Sequence, residues 1–503
     1  MLAVLAIVLI LLFLLYKYYA AENEYWRKRG IPGPQPELFF GNLRDIWSYE
    51  RPRSLVMKEW TKKYGKVYGM YEGQRKFMVV SDLEMLNELL VKKFDHFYAR
   101  SRFPLQPTED GPKMHLVDAR GAHWKRLRAL GSYAFTNKAL KQIRATIVQS
   151  AHLCVEAMKK ESGEFNIHPF FQEYTMDVIC KIALGKKDVK MFNNPMLQVS
   201  KDVFSRPLSS PLYSVPCLFP YKVVLDVIIN SLDHIGALFE VPFVMIMKEL
   251  EATIVERKKE RDAGAQSTGD FIDIFLDAET EETSEVKYGE QSSTEKKLVL
   301  EEIVGQCMIF LLAGFETTSN ALAYVTHFLA NYPDIQEKLY DEIDGLFPDE
   351  KIDYDTLSQM TYTEAVLKET LRHYPLASFV VSRECVKPTT VGGYEFKEGD
   401  MIYTDTWSMH MDKEIWGEDA EEFRPERFLE ASDRARVAFQ AFGEGPRMCL
   451  GMRLAYFEEK IALIHLLKTF VIIKSEHTNP LSLVGSMTIA PAQVMVKLEK
   501  RSS

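Results

Sequence analysis

Residues 297–331 constrain the fold of this chain more than any other stretch. They are apolar around most of a helical circumference and meet no proline until Pro333. A helix of about 35 residues is roughly 50 Å long, and one that is apolar on nearly every side has to be enclosed. The run therefore predicts a long helix crossing the centre of a large domain. The 503 residues supply the material to enclose it, since 47% are apolar and 26% charged, a composition that excludes a mostly disordered chain. Most of the remaining sequence shows helical periodicity. Short strands are predicted at 67–72 and 76–81, turning at Gly73-Gln74, and in a second patch at 389–405 with turns at Gly392-Gly393 and Gly399-Asp400. The expected class is mainly α with a small β-sheet region. Segment 263–296, rich in Glu, Ser, Thr and Gly and carrying an acidic run over 279–285, reads as a solvated surface loop.

The N-terminus opens with an unbroken apolar run over residues 2–15, followed by Tyr16, Lys17, Tyr18, Tyr19, Ala20 and Ala21. Counted through Ala21, a helix of about 31 Å matches the hydrocarbon layer. Lys17 can snorkel and the tyrosines suit the headgroup zone. A cleaved signal is the competing reading, but no basic segment precedes the run and bulky Tyr18 and Tyr19 stand where a cleavage site needs small residues. Lys17, Arg27, Lys28 and Arg29 follow the run, so the positive-inside rule expects the body on the cytosolic side. Gly30-Ile31-Pro32-Gly33-Pro34-Gln35-Pro36 then predicts a stiff, non-helical strap.

The most informative ten residues are Phe442-Gly443-Glu444-Gly445-Pro446-Arg447-Met448-Cys449-Leu450-Gly451. Three glycines around Pro446 allow a tight loop whose backbone approaches something flat. A helix-forming run over 450–467 follows, placing Cys449 at a helix N-terminus, where free N–H groups favour thiolate. Such a thiolate is a metal ligand or a nucleophile, and the nearest histidines in sequence, His410 and His465, are distant. The six cysteines include no C-x-x-C pair, which disfavours a structural zinc site or a disulfide framework. With 62 Lys+Arg against 71 Asp+Glu, the net charge of −9 argues against nucleic acid as a partner.

The loop F-x-x-G-x-R-x-C-x-G resembles the haem-binding loop of the cytochrome P-450 haem-thiolate monooxygenases. Four further motifs occur in the order that family shows. Glu369-Thr370-Leu371-Arg372 and Pro425-Glu426-Arg427-Phe428 resemble its E-x-x-R and P-E-R-F, implying a structural triad of Glu369, Arg372 and Arg427. Trp124-Lys125-Arg126-Leu127-Arg128 resembles its W-x-x-x-R, with Trp124 and Arg128 on one helix face. Ala313-Gly314-Phe315-Glu316-Thr317-Thr318 resembles its A-G-x-[DE]-T-T. Gly314 inside a helix wants a reason, either a flat ligand or tight helix packing. The segments W-K-R-L-R, A-G-F-E-T-T-S and P-L-Y-S-V-P-C-L-F-P bring the animal microsomal group nearest, the one containing the vertebrate third, drug- and steroid-oxidising family.

The resemblance implies a cytochrome P-450 fold with an N-terminal transmembrane anchor helix. Residues 1–21 would be the anchor, 22–40 a basic, proline-rich linker and 41–503 a single haem-thiolate catalytic domain. It implies haem b with Cys449 as axial thiolate, and Trp124, Arg128, Ala313, Gly314, Arg383, Phe442, Gly443, Arg447 and Gly451 around the cofactor. Arg383 and Arg447 join Trp124 and Arg128 as propionate partners. Thr317 is implied as the hydrogen-bond partner of dioxygen at the haem, and Glu316 as part of a proton relay from solvent. Electrons would come from NADPH through a cytochrome reductase, or from a cytochrome b-type donor, because the chain has no G-x-G-x-x-G.

A lipophilic substrate is expected, lined by 102–116, Ile309, Leu312, Ala313, 377–380 and 484–487. Leu218-Phe219-Pro220 and 223–229 are expected to dip into lipid, and Lys125, Arg126, Lys138 and Lys141 to form a basic patch for an acidic partner. The implied location is the endoplasmic reticulum membrane. Two other haem functions fit the cysteine loop, an isomerase or dehydratase acting on peroxides and a haem-binding protein without turnover. The pair Glu316-Thr317 favours the monooxygenase.

Overall fold

A computed structural model describes residues 2–102, 111–112, 114–186, 190–235, 241–267, 269–279, 297–348, 351–377 and 380–501. Most of loop 263–296, and residues 103–110, 113, 378 and 379 of the expected cavity lining, lie outside the described residues. The fold is mainly helical with small sheets. Helices used below are α1 (Leu2–Glu22), α2 (Gly121–Ser132), α3 (Asn137–Met158), α4 (His168–Leu184), α5 (Pro195–Ser205), α6 (Lys222–Ile235), α7 (Pro242–Asp262), α8 (Leu300–Asn331), α9 (Thr361–His373) and α10 (Met452–Thr469).

The predicted central helix is α8, starting three residues later than the sequence pattern suggests. Glu302 explains the start, because its carboxylate accepts from the backbone N–H of Val299 (3.1 Å) while also receiving Arg126 (2.6 Å) and His123 (2.9 Å) from α2. It ends at Pro333, which opens the following helix and cannot continue the ladder. α8 is buried along most of its length and packs on α4, with α7, α9 and α10 around it. One large apolar core joins α3, α4, α8 and α10.

The predicted hairpin forms as β1 (Val67–Glu72) and β2 (Arg75–Val80), paired from Val67↔Val80 to Glu72↔Arg75. β2 runs parallel to a strand at Met401–Thr404, which pairs antiparallel with Ser382–Glu384, giving a four-stranded sheet. The 389–405 patch supplies one of these strands plus the small hairpin Thr389–Val391 and Tyr394–Phe396.

Two helices are long and apolar enough to cross a membrane among the described residues, α8 and the segment Val4–Glu22. α8 is enclosed by protein, whereas residues 4–16 expose their apolar side chains throughout. The following segment is docked to the body. Trp26 is buried and donates from Nε1 to Met70 O (3.2 Å), Tyr71 Oη donates to Asn23 O (2.9 Å), and the Gly69 N–H donates to Pro32 O (2.8 Å). A Cβ on Gly33 would stand 2.1 Å from Gly69 O, so only glycine lets the strap lie this close to β1.

Candidate active site

The cysteine loop is held from behind by buried charge. α9 places Glu369 and Arg372 one turn apart, both fully buried, and Arg372 donates twice to the carboxylate (2.7 and 2.8 Å). Arg427 Nε reaches the same carboxylate at 3.0 Å, completing the triad expected from the sequence. Burial pushes the Glu369 carboxyl up, but hydrogen bonds and charge from Arg372 and His373 win and hold it down at about 2. His410 carries the connection onward. Its Nδ1 donates to Arg372 O (3.2 Å) and its Nε2 accepts from the Gln440 N–H (3.0 Å), two residues before Phe442.

The loop closes on itself through the Cys449 N–H donating to Phe442 O at 2.8 Å. Gly445 has φ +72°, and a Cβ there would lie 2.3 Å from Leu90 O, a backbone atom that cannot yield. Of the six cysteines, Cys449 alone is exposed, and what it faces is a cavity deep inside the protein. Burial raises its thiol, opposed by the N–H groups of Gly451 and Met452 at the start of α10 and by the charges of Arg128 and Arg100.

The cavity holds about 760 Å³. α8 contributes Ile309, Leu312, Ala313, Gly314 and Thr317; the loop contributes Phe442, Gly443, Arg447, Cys449 and Gly451; α2 contributes Trp124 and Arg128. Every expected cofactor residue therefore borders one space, Arg383 included. Thr317 also borders it, its hydroxyl donating to Ala313 O (2.7 Å).

Glu316 does not. It is buried on the next face of α8, where Oε1 accepts from Thr488 Oγ1 (3.2 Å) and Asn320 Nδ2 (3.3 Å), and Asn320 Oδ1 meets His168 Nε2 at 2.8 Å. Burial raises the Glu316 carboxyl. Thr488 lines the cavity, so it stands between the acid and the open space. Gly314 is explained by packing: a Cβ would meet Ile179 Cδ1 of α4 at 2.8 Å. Gly451 has no such demand, since the nearest atom to its missing Cβ is Phe135 Cε1 at 3.6 Å. Glycine there leaves room on the cavity side.

Four guanidinium groups converge beside Cys449. Arg447 gives its donors to the carbonyls of Tyr98 (2.9 Å) and Ala119 (2.7 Å) and stacks 4.3 Å from the Trp124 ring. Arg100 donates to Val117 O (3.0 Å) and Arg447 O (3.2 Å), and Arg128 to Met448 O (2.7 Å). Arg383 donates to Ser382 O (2.8 Å) and leaves Nε, buried, without a partner. None of the four makes an ion pair among the described residues. Burial and mutual repulsion pull Arg100 to about 10 and Arg383 to about 9, with Arg447 and Arg128 also lowered. Holding such a cluster charged and buried is costly unless anions complete it. Two carboxylates on a flat macrocycle would satisfy it, so the residues fit haem b.

Sequence reasoning missed Arg100, Thr488, Asn320 and His168, none of which belongs to a contiguous motif. It also missed the outer wall, formed by residues such as Phe204, Leu208, Tyr213 and Phe243. From 484–487 only Met487 reaches the cavity. Arg126 is corrected outright: it is 4% exposed and committed to Glu302, so it cannot belong to a surface patch. Lys125, Lys138 and Lys141 are exposed, and Lys141 pairs with Asp355 (2.9 Å).

A cysteine thiol at a helix start, a ring of arginines and an apolar cavity together define a haem-thiolate site. A sequence model described as Cytochrome P450 matches residues 31–498. The chain is 40% identical over 507 residues to a Caenorhabditis elegans protein bearing the name cytochrome P450 cyp-13B1, covering 98% of this chain and 99% of that protein. It is also 40% identical over 505 residues to one bearing the name CYP13A4 from the same organism, covering 97% and 96%. The chain belongs to the cytochrome P450 family, whose members bind haem b through a cysteine thiolate. It is an oxidoreductase of the monooxygenase type, acting with dioxygen, a small-molecule substrate and a redox partner.

Proposed function

We propose that this protein inserts one atom of dioxygen into a lipophilic small molecule of xenobiotic, steroid or fatty-acid type at the endoplasmic reticulum membrane, with electrons passed from NADPH through a cytochrome reductase. The observation that carries the reading is the apolar cavity that both Cys449 and Thr317 border. Bound haem b would supply dioxygen activation, with Cys449 as its metal ligand and Arg100, Arg128, Arg383 and Arg447 holding its carboxylates.

The chain's own residues then have distinct tasks. Leu312, Ala313 and Ile309 exclude water and orient an apolar substrate. Thr317 offers a hydroxyl to dioxygen. Glu316, Asn320 and His168 form a hydrogen-bonded row behind α8, and Thr488 passes a proton from that row into the cavity. Residues 1–21 anchor the protein, 22–40 link, and 41–503 form the catalytic domain on the cytosolic face. The test is the full chain in phospholipid vesicles with reductase: substrate-stimulated NADPH consumption and a product carrying one oxygen from labelled dioxygen support it. Turnover of a lipid hydroperoxide with neither NADPH nor dioxygen overturns it in favour of an isomerase.

α6 supports a second lipid contact. Val223 (75% exposed) and Val227 (61%) lie one turn apart on its outer face, next to exposed Phe219 and Tyr221. Tyr18 and Tyr221 interact electrostatically, so the foot of α1 adjoins this patch. Ile228 and Ile229 are half-buried and Ile229 lines the cavity, which narrows the proposed lipid face from 223–229 to Val223 and Val227. Deleting residues 2–22 should leave partial vesicle binding, and adding Val223→Ser with Val227→Ser should release the remainder, read by flotation. Undiminished binding of that combined variant would count against the contact.

A further inference from the structure

α2 carries polar side chains on two sides. At about 100° per residue, Trp124 and Arg128 stand roughly 150° round the helix from His123 and Arg126. Trp124 and Arg128 border the cavity, and the Trp124 ring lies 4.3 Å from the Arg447 guanidinium. His123 and Arg126 turn the other way, into the protein, and are 0% and 4% exposed. Both meet Glu302 in the first turn of α8, itself 0% exposed. Arg126 takes the carboxylate as a fork, Nη2 donating to Oε1 at 2.6 Å and Nη1 to Oε2 at 3.1 Å, while His123 Nε2 lies 2.9 Å from Oε1. Arg126 also donates to Lys297 O, just ahead of α8. Among the described residues, Glu302 is the one ion-pair partner of Arg126.

A buried ion cluster of this kind adds little net stability over well-packed apolar side chains. What a planar fork on a carboxylate does supply is a single orientation. That matters here because of leverage. Turning α2 by about 20° would carry a group about 6 Å from its axis through about 2 Å, enough to break a hydrogen bond on the cavity side. The Glu302 carboxylate also accepts from the Val299 N–H (3.1 Å) and so fixes where α8 begins. The walls that carry Arg128 and Thr317 are thus registered to one group.

We propose that Glu302 positions the cofactor's carboxylate partners: by holding Arg126 and His123 it sets the rotation of α2, and so aims Trp124 and Arg128 at the haem carboxylates. The proposal rests on the reading that Arg128 receives such a carboxylate. Glu302 does not border the cavity, so it is a positioning residue acting through α2 and touches neither cofactor nor substrate.

The test follows haem passing from the full-length, haem-loaded protein in detergent to an excess of apomyoglobin, read in the Soret band. Glu302→Gln should quicken haem loss at least about tenfold, the scale on which a supporting residue contributes to a metal site. Arg128→Gln should quicken it as well. Because Glu302 acts through α2, the double variant should fall well short of the product of the two single factors. Arg126→Lys keeps the charge but loses the fork, and its rate should lie between those of Glu302→Gln and the unaltered protein. An unchanged rate in Glu302→Gln, or a double variant that reaches the full product, overturns the proposal. An unchanged rate in Arg128→Gln instead refutes the carboxylate reading, and the proposal falls with it, so the two failures are told apart. Should Glu302→Gln not fold, Arg126→Lys, alone and combined with Arg128→Gln, decides by the same rule.

Discussion

Replacing Cys449 with alanine should abolish the reduced, carbon monoxide-bound absorption band near the wavelength that gives the family its name, and with it turnover. The Phe442–Cys449 hydrogen bond is backbone to backbone and survives the change, and the four arginines keep their carbonyl partners, so the pocket persists without its axial ligand. Loss of residues that merely support a metal ligand costs about 10–100-fold, and loss of the ligand itself should exceed about a hundredfold. Cys385→Ala is the control. Cys385 is buried, donates to Lys387 O (3.1 Å) and does not border the cavity, so its variant should keep the band at modest cost in stability. A Cys449→Ala protein that kept the band would remove the basis of the assignment.

Breaking the buried triad should have the largest effect on folding. Arg372→Ala leaves Glu369 ionised at zero exposure with Arg427 as its one remaining arginine, and Glu369→Ala leaves two buried cations facing each other. Removing one partner of a buried pair costs about 3–5 kcal/mol, against a total stability of about 5–15 kcal/mol. The yield of folded, haem-containing protein should collapse in both variants. Arg372→Lys keeps the charge but loses the fork, and should fall between.

The same cluster predicts acid sensitivity. Glu369 titrates at about 2 in the folded protein, below an ordinary carboxyl, so its contribution is complete above that ordinary value and disappears as pH falls toward 2. His410 is lowered to about 3 by burial and the charge of Arg372, so the unfolded chain takes up its proton first. Stability therefore declines once pH drops below the ordinary imidazole value near 6.5. Thermal midpoints measured between pH 7 and 4 should fall monotonically, and a flat profile there would contradict the His410 assignment; the Glu369 loss adds to it only below the ordinary carboxyl value.

How much of this was legible in the sequence depended on distance along the chain. The cysteine loop and E-x-x-R are contiguous, and their local spacing already fixes which groups can meet, so both emerged as expected. Arg100 lies 347 residues from the Arg447 carbonyl it binds, and Thr488 lies 172 from Glu316. Such pairs exist only because the tertiary fold brings strands, loops and α8 together. Arg126 shows the opposite failure: beside Lys125 it resembles surface charge, but one step round α2 turns it inward to Glu302. Gly314 had two open explanations, and the decision belonged to Ile179, a residue on another helix.

The close seat of Pro32 and Gly33 against Gly69 bears on how the enzyme meets its electron donor. A chain swinging on a loose leash samples all attitudes toward the lipid plane. This one is clamped to the body within a few residues of the end of α1, so with α1 anchored as proposed its tilt would be set once and shared by every copy. Were the proposed redox partner held in the same lipid plane, their encounter would become a search in two dimensions between bodies of fixed inclination, which raises the local concentration of productive orientations without any added contact area.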